Sequence, residues 1–251
     1  MNRVQGKQAI ITGASRGLGR QLAIDFGREG ASGLVLVSRD EQSLKETQKL
    51  VEQMNLATKV LLLVADLSRP DEIERVAAQT LREFRGKLDI LVNNASILGP
   101  TPMPYLLDYP LEDFRQVINT NLIAPYLLIQ KLVAAMMDDG GSIINVTSDA
   151  GITGYPGWGA YGISKFGLEG LSQTWAAELE GSGVRINWVD PGNMNTLMHR
   201  LAEPDEDPSQ WAHPAEVTDV FLYLASDESK NVNGKRFQAQ EAWSELLQSA
   251  R

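Results

Sequence analysis

Short apolar runs and amphipathic stretches take turns along the chain. Runs such as Ala9-Ile10-Ile11 and Leu34-Val35-Leu36-Val37 are apolar at consecutive positions, the pattern of strands buried on both faces. Between them apolar residues recur every three or four positions among charges, as on helices with one buried stripe. This pattern places strands over 8–12, 33–37, 59–64, 89–92, 142–147, 184–189 and, more weakly, 235–238. It places helices over 17–29, 41–54, 71–84, 111–138, 160–180 and 215–225. Steady alternation of strand and helix predicts an α/β fold, a doubly wound, Rossmann-type parallel sheet of seven strands with helices on both faces. Ligands of such a sheet belong at the carboxyl ends of its strands.

No linker, repeat or low-complexity tract interrupts this rhythm, and 251 residues suit one large domain, 1–251, with a substrate lid at about 193–213. No apolar run reaches the roughly 18 residues of a membrane span and no signal peptide precedes the first strand, so a cytoplasmic protein without a membrane partner is expected. The absence of cysteine excludes disulfides, thiol catalysis and thiolate metal sites. With only His199 and His213 as imidazoles, no metal site is expected. A net charge of −9 argues against nucleic acid as a partner, which needs clustered Lys and Arg. Any anionic cofactor must therefore meet local positive charge.

Such charge stands at the first two strand ends. Thr12-Gly13-Ala14-Ser15-Arg16-Gly17-Leu18-Gly19 joins a strand to a helix. Its glycines permit a tight turn and close backbone approach to a pyrophosphate, and the helix N-terminus offers amide donors to it. After the second strand come Ser38, Arg39 and Asp40. An arginine here accepts a 2′-phosphate and a carboxylate holds a ribose 2′-hydroxyl. Arg39, with Ser38 and Arg16, favours NADP(H), while Asp40 keeps NAD(H) open.

Chemistry stands further along. Tyr161 and Lys165 are four residues apart near the start of a helix, so they share a face. A neighbouring ammonium stabilises phenolate and lowers the phenol's pKa towards the working range, making an acid of it. Ser148 ends the fifth strand. Within 111–138, Pro125 lies four residues after Asn121; proline lacks an N–H and presses on that carbonyl, so a kink and a freed Asn121 carbonyl are expected.

Taken in order, Thr12 to Gly19, Asn93-Asn94-Ala95-Ser96, Asn121, Ser148, Tyr161 with Lys165, and Pro191-Gly192 resemble the motifs of the short-chain dehydrogenase/reductase family, in its single-domain branch, over nearly the whole chain. The resemblance implies an NADP-dependent oxidoreductase that moves a hydride between nicotinamide and a small carbonyl or secondary alcohol. Tyr161 would be the acid or base, Ser148 would bond the reacting oxygen, Lys165 would tune the phenol and hold the nicotinamide ribose, and Asn121 would anchor a relay water. Cofactor contacts would come from Gly13, Ser15, Arg16, Gly17, Leu18 and Gly19, then Ser38 and Arg39, then Asp66 and Leu67 at the adenine. Asn93 and Ala95 would follow along the ribose, with Tyr161 and Lys165, and Pro191, Gly192 and Thr196 would close the far side. A homodimer or homotetramer is also implied, through the helices 111–138 and 160–180. A 3-oxoacyl thioester reductase and a non-catalytic NADP-binding regulator are the alternatives.

Two positions depart from the family pattern: Ser96 stands where glycine is usual, and 233–243 replaces a glycine-rich closing segment. Several loops stay open in meaning. Pro100 to Pro104 rims the site or merely connects elements, and Tyr155 and Trp158 meet substrate or anchor their own loop. His199 touches substrate or, as a lone lid histidine more often does, stays a solvated side chain.

Overall fold

A computed structural model of the chain describes residues 2–241. Seven parallel strands form one sheet in the order β3-β2-β1-β4-β5-β6-β7. They are β1 (Gln8–Thr12), β2 (Gly33–Ser38), β3 (Lys59–Val64), β4 (Ile90–Asn93), β5 (Gly141–Val146), β6 (Val184–Asp190) and β7 (Arg236–Gln238). Because side chains alternate along a strand, Ala9 and Ile11 of β1 enter one core and Ile10 the other. The first core packs the sheet against α1 (Gly17–Arg28), α2 (Glu41–Met54) and the late helix α8 (Asp219–Ala225), through Leu22, Phe26, Leu44 and Phe221. The second packs it against α3 (Pro70–Glu83), α5 (Ala124–Leu132) and α6 (Gly159–Glu178), through Ile73, Val76, Leu128 and Ala176. The order reverses between β1 and β4, the switch point where a crevice opens.

The helix expected over 111–138 is not uniform. It runs as α4 (Leu111–Ile118), a π-helical turn (Asn119–Ile123), α5 and a 3-10 turn (Val133–Met136). Pro125 sits in the first turn of α5, where a missing N–H is tolerated, and the Ala124 N–H reaches back five residues to Asn119. The wide turn, not a simple kink, absorbs the proline.

The continuous helical stretch Leu111–Met136 is long and apolar enough to cross a bilayer by length and composition, although polar residues interrupt its apolar runs. Half of that window is buried inside the fold, where α5 supplies Leu128, Ile129 and Leu132 to the core, as in a core helix. The helix expected over 215–225 begins later, at Asp219. A separate 3-10 turn (Pro214–Glu216) precedes it, with the Ala215 N–H donating to His213 Nδ1 at 3.2 Å. The lid carries a short helix, α7 (Leu197–Ala202), N-capped by Thr196. Of the atypical tail, Ala242 and Trp243 lie outside the described residues.

Candidate active site

A cleft of about 820 Å³ runs along the carboxyl ends of the strands. The glycine loop forms its floor at β1. Gly13 and Gly17 adopt φ of +69° and +54°, the left-handed region that glycine tolerates. A Cβ on Gly13 would lie 2.7 Å from Asn94 Nδ2 and 2.9 Å from Ala95 Cα. One on Gly19 would strike the Gly13 carbonyl. Thr12 Oγ1 accepts from the Asn94 and Ala95 N–H groups at 3.0 Å each, which ties the loop after β4 to the loop after β1. A bare backbone cradle thus faces the helix α1 N-terminus, and a dinucleotide pyrophosphate fits it.

At the end of β2, Ser38 Oγ donates to Ser15 Oγ at 2.8 Å. The side chains of Arg16 and Arg39 are exposed, line the cleft and make no hydrogen bond or ion pair among the described residues. Asp40 is occupied elsewhere. Its carboxylate caps α2, accepting from the Ser43 N–H at 3.0 Å and the Ser43 hydroxyl at 2.7 Å, and those bonds hold its pKa below the ordinary value. Asp66 and Leu67 line the cleft beyond Arg39, and Ala95, Pro191, Gly192 and Thr196 line its other parts.

Asn93 is a correction. It ends β4 with its side chain on the inner face, 3% exposed, where its amide donates to Asn145 Oδ1 at 2.8 Å. Asn94 and Ala95, just beyond the end of β4, line the cleft instead.

Ser148, Tyr161 and Lys165 all line the same cleft as the glycine loop. The first helical turn of α6 carries Tyr161 onto the face that also carries Lys165, and the ammonium lies 5.4 Å from the centre of the phenol ring. Lys165 Nζ donates to the Val146 carbonyl at 2.7 Å. Burial is the largest influence on both groups. It pushes the phenol above its ordinary value, against the pull of the Ser148 hydroxyl, with Asp190 and Asp149 raising it further. It pushes Lys165 down to about 8, against Asp190 and Glu169. The lowered phenol pKa expected from the sequence is therefore corrected: the ammonium is turned to a backbone carbonyl, and burial outweighs it.

Asn121 belongs to the frame of the site. It is 1% exposed; its side chain accepts from the Ile97 N–H at 2.9 Å and donates to the Ile97 carbonyl at 2.9 Å and to Ser164 Oγ at 3.0 Å. It thereby fixes the segment after Ser96 against α6, while Pro125 offers its carbonyl no N–H.

A buried ionic group beneath the site had no single-residue signal in the sequence. Arg236 of β7 donates to Glu169 Oε1 at 3.1 Å, Asp190 Oδ2 at 3.0 Å and the Ser148 carbonyl at 3.2 Å, and Thr147 Oγ1 donates to the same Glu169 oxygen at 2.7 Å. Asp149 was also missed: Ser148 Oγ donates to its Oδ1 at 2.8 Å. Across the cleft Leu98, Met103, Trp158 and Met198 pack around Tyr161 as an apolar wall, so Trp158 borders the site. His199 lines the cleft, its ring 4.3 Å from that of Trp211 and its Nε2 buried without a hydrogen-bond partner among the described residues. Ser96 Oγ is likewise buried and unpartnered on the cleft wall. Among the described residues no three His, Asp or Glu gather as a metal site.

The family profile described as short chain dehydrogenase matches residues 7–207. The chain belongs to the short-chain dehydrogenase/reductase family. As a family member it is an oxidoreductase with a nicotinamide cofactor. It is 36% identical over 243 residues to the 3-oxoacyl-[acyl-carrier-protein] reductase of Thermotoga maritima, covering 93% of this chain and 96% of that one. A solved short-chain dehydrogenase from Pseudomonas syringae superposes with a TM-score of 0.89 at 37% identity, over 95% of this chain and 96% of that one. A short-chain dehydrogenase from Shigella flexneri, solved as a complex with NADP, superposes with a TM-score of 0.88 at 28% identity, over 96% and 99% of the two chains.

Proposed function

We propose that this short-chain dehydrogenase/reductase is an NADP(H)-dependent oxidoreductase acting on small carbonyl or secondary alcohol substrates. The observation that carries the chemistry is the opening of Ser148, Tyr161 and Lys165 onto the cleft that the glycine loop floors. The bound nicotinamide supplies the hydride to the carbonyl carbon or accepts it from the alcohol carbon. In reduction Tyr161 hands its proton to the alkoxide oxygen as that oxygen gains charge, and the Ser148 hydroxyl turns its one proton from Asp149 Oδ1 to the same oxygen. A phenol held above its ordinary pKa keeps its proton until a stronger base forms beside it, which suits the reductive direction. Lys165 holds the nicotinamide ribose, and Asn121 positions the relay water. Gly13 to Gly19, Ser38, Arg39, Asp66, Leu67, Ala95, Pro191, Gly192 and Thr196 hold the remainder of the cofactor.

The choice of NADP(H) over NAD(H) rests on two unpaired guanidiniums, Arg16 and Arg39, beside a carboxylate, Asp40, already committed to capping α2. The NADP complex of the Shigella flexneri protein is in keeping with it. The reading carries with it a cytoplasmic location and a homodimer or homotetramer. Ile163 and Phe166 of α6 are 43% and 46% exposed, and Leu111 of α4 is 60% exposed, an apolar face of the kind a second copy covers. Light scattering at micromolar concentration should give at least twice the chain mass; a monomer removes the oligomer from the reading.

The second reading, a 3-oxoacyl thioester reductase, is favoured by similarity to the Thermotoga maritima enzyme. Against it stands the acidic lid of Glu203, Asp205, Glu206 and Asp207, which would repel an acidic carrier protein. NADPH oxidation followed at 340 nm over ketones, aldehydes, quinones and a 3-oxoacyl thioester tests both, alongside NADPH binding. Turnover of free carbonyls supports the reading, turnover of the thioester alone supports the second, and NADPH binding with no turnover makes the chain a cofactor-binding regulator.

A further inference from the structure

Asp149 follows Ser148 directly and is fixed from three sides. Its Oδ1 accepts from the Ser148 hydroxyl at 2.8 Å and the Ala150 N–H at 2.8 Å, and its Oδ2 accepts from the Tyr155 hydroxyl at 3.0 Å. It lines the cleft and makes no ion pair among the described residues, so no cation cancels its charge. The nearby cation Lys165 also lines this part of the cleft, with its Nζ turned to the Val146 carbonyl at 2.7 Å. Burial is the largest cause that raises the Glu203 pKa, with Glu206 and Asp149 adding to it. Burial lowers the pKa of His199 and so favours its neutral form. Of the guanidiniums that line the cleft, Arg16 stands by Asp40 and Arg39 by Asp66, past the end of β2. The wall facing Tyr161 is apolar, made by Leu98, Met103, Trp158 and Met198.

We propose that Asp149 is a charge filter for the substrate: the site accepts neutral or cationic carbonyl compounds with an apolar body and turns away those bearing a carboxylate or phosphate near the reacting carbon. The inference rests on the reading that Ser148 bonds the reacting oxygen. A substrate oxygen on Ser148 Oγ is one hydroxyl away from the Asp149 carboxylate, and an anionic substituent one or two bonds from that carbon enters the same field. Like charges at such separations in a partly desolvated cleft disfavour binding by about tenfold or more. With the Ser148 proton turned to substrate, the carboxylate is still held by the Ala150 N–H and the Tyr155 hydroxyl, and it cannot swing aside without breaking those bonds.

The test uses matched probes that differ in charge and share the reacting carbonyl: ethyl 3-oxobutanoate against 3-oxobutanoate, and ethyl pyruvate against pyruvate, each with saturating NADPH. The quantity read is the ester-to-anion ratio of kcat/KM in the wild type and in Asp149→Asn, whose amide keeps an acceptor for Ser148 and Ala150. The ratio should fall by about tenfold or more in the variant, with the KM for NADPH moving less than about threefold. Asp149→Ser, which removes the charge by a different shape, should lower the ratio in the same direction. An ester-to-anion ratio unmoved in both variants, with the esters still reduced, overturns the filter alone. No reduction of any probe by the NADPH-bound wild type overturns the catalytic reading beneath it, and the filter with it.

Discussion

Arg236 Nη2 donates to the backbone carbonyl of Ser148 at 3.2 Å, so a residue of the last strand, in the atypical tail, fixes the backbone beneath the candidate substrate-binding serine. The same guanidinium faces Glu169 and Asp190, each about 5% exposed, and thereby offsets one of the two negative charges that lie near Lys165. Breaking a buried ion pair from one side costs about 3–5 kcal/mol, because the remaining charge keeps its desolvation penalty. Arg236→Met should lower Tm by about 10 °C, with Arg236→Lys falling in between, as read by scanning calorimetry. Equal Tm values for wild type and Arg236→Met would remove the clamp.

Tyr161→Phe deletes the only acidic proton on the phenol ring while keeping the ring's contact with Trp158, 5.6 Å between centroids. Loss of a positioned acid lowers turnover by about 10²–10⁴. NADPH affinity, measured by fluorescence titration, should stay within about threefold of wild type, since the phenol oxygen is one contact among many. Retained kcat would take the phenol out of the mechanism.

Arg39→Ala should raise the KM for NADPH by about tenfold or more and leave that for NADH nearly unchanged. A hydrogen bond to a charged group contributes about 1.5–3 kcal/mol, and only the 2′-phosphate distinguishes the two cofactors. Steady-state kinetics with both cofactors decides it; equal losses for the two would mean that Arg39 meets no 2′-phosphate.

Lys165 gives the fold a dependence on pH. Its pKa is lowered from 10.5 to about 8 by burial. Below pH 8 both folded and unfolded chains carry the charge, and the full cost of burying it is present. Between about 8 and 10.5 the unfolded chain binds more protons than the folded one, so this group makes stability rise with pH across that window. The raised phenol acts in the opposite sense, since its contribution is lost only above the ordinary tyrosine value near 10. Urea unfolding at pH 7.5 and 9.5 should therefore show the wild type gaining stability relative to Lys165→Met at the higher pH. A constant difference between the two proteins would place the ammonium in a wetter setting than the structure does.

Much of this protein is legible in its sequence because its signals are local. Strands buried on both faces are written as runs like Ala9-Ile10-Ile11, and a glycine with positive φ, such as Gly13, needs no distant residue to be recognised. The Tyr161–Lys165 pairing follows from helical spacing alone. The seven-stranded parallel sheet and the family were fixed at that level. Tertiary structure decided what depends on residues far apart in the chain or on the direction of a side chain. Arg236 meets Glu169 and Ser148 only because β7 lies beside β6, and no spacing announces it. Asp40 turned to Ser43, Asn93 turned inward to Asn145, and the phenol raised where a neighbouring ammonium predicted it lowered, because burial and competing hydrogen bonds are properties of the packed whole.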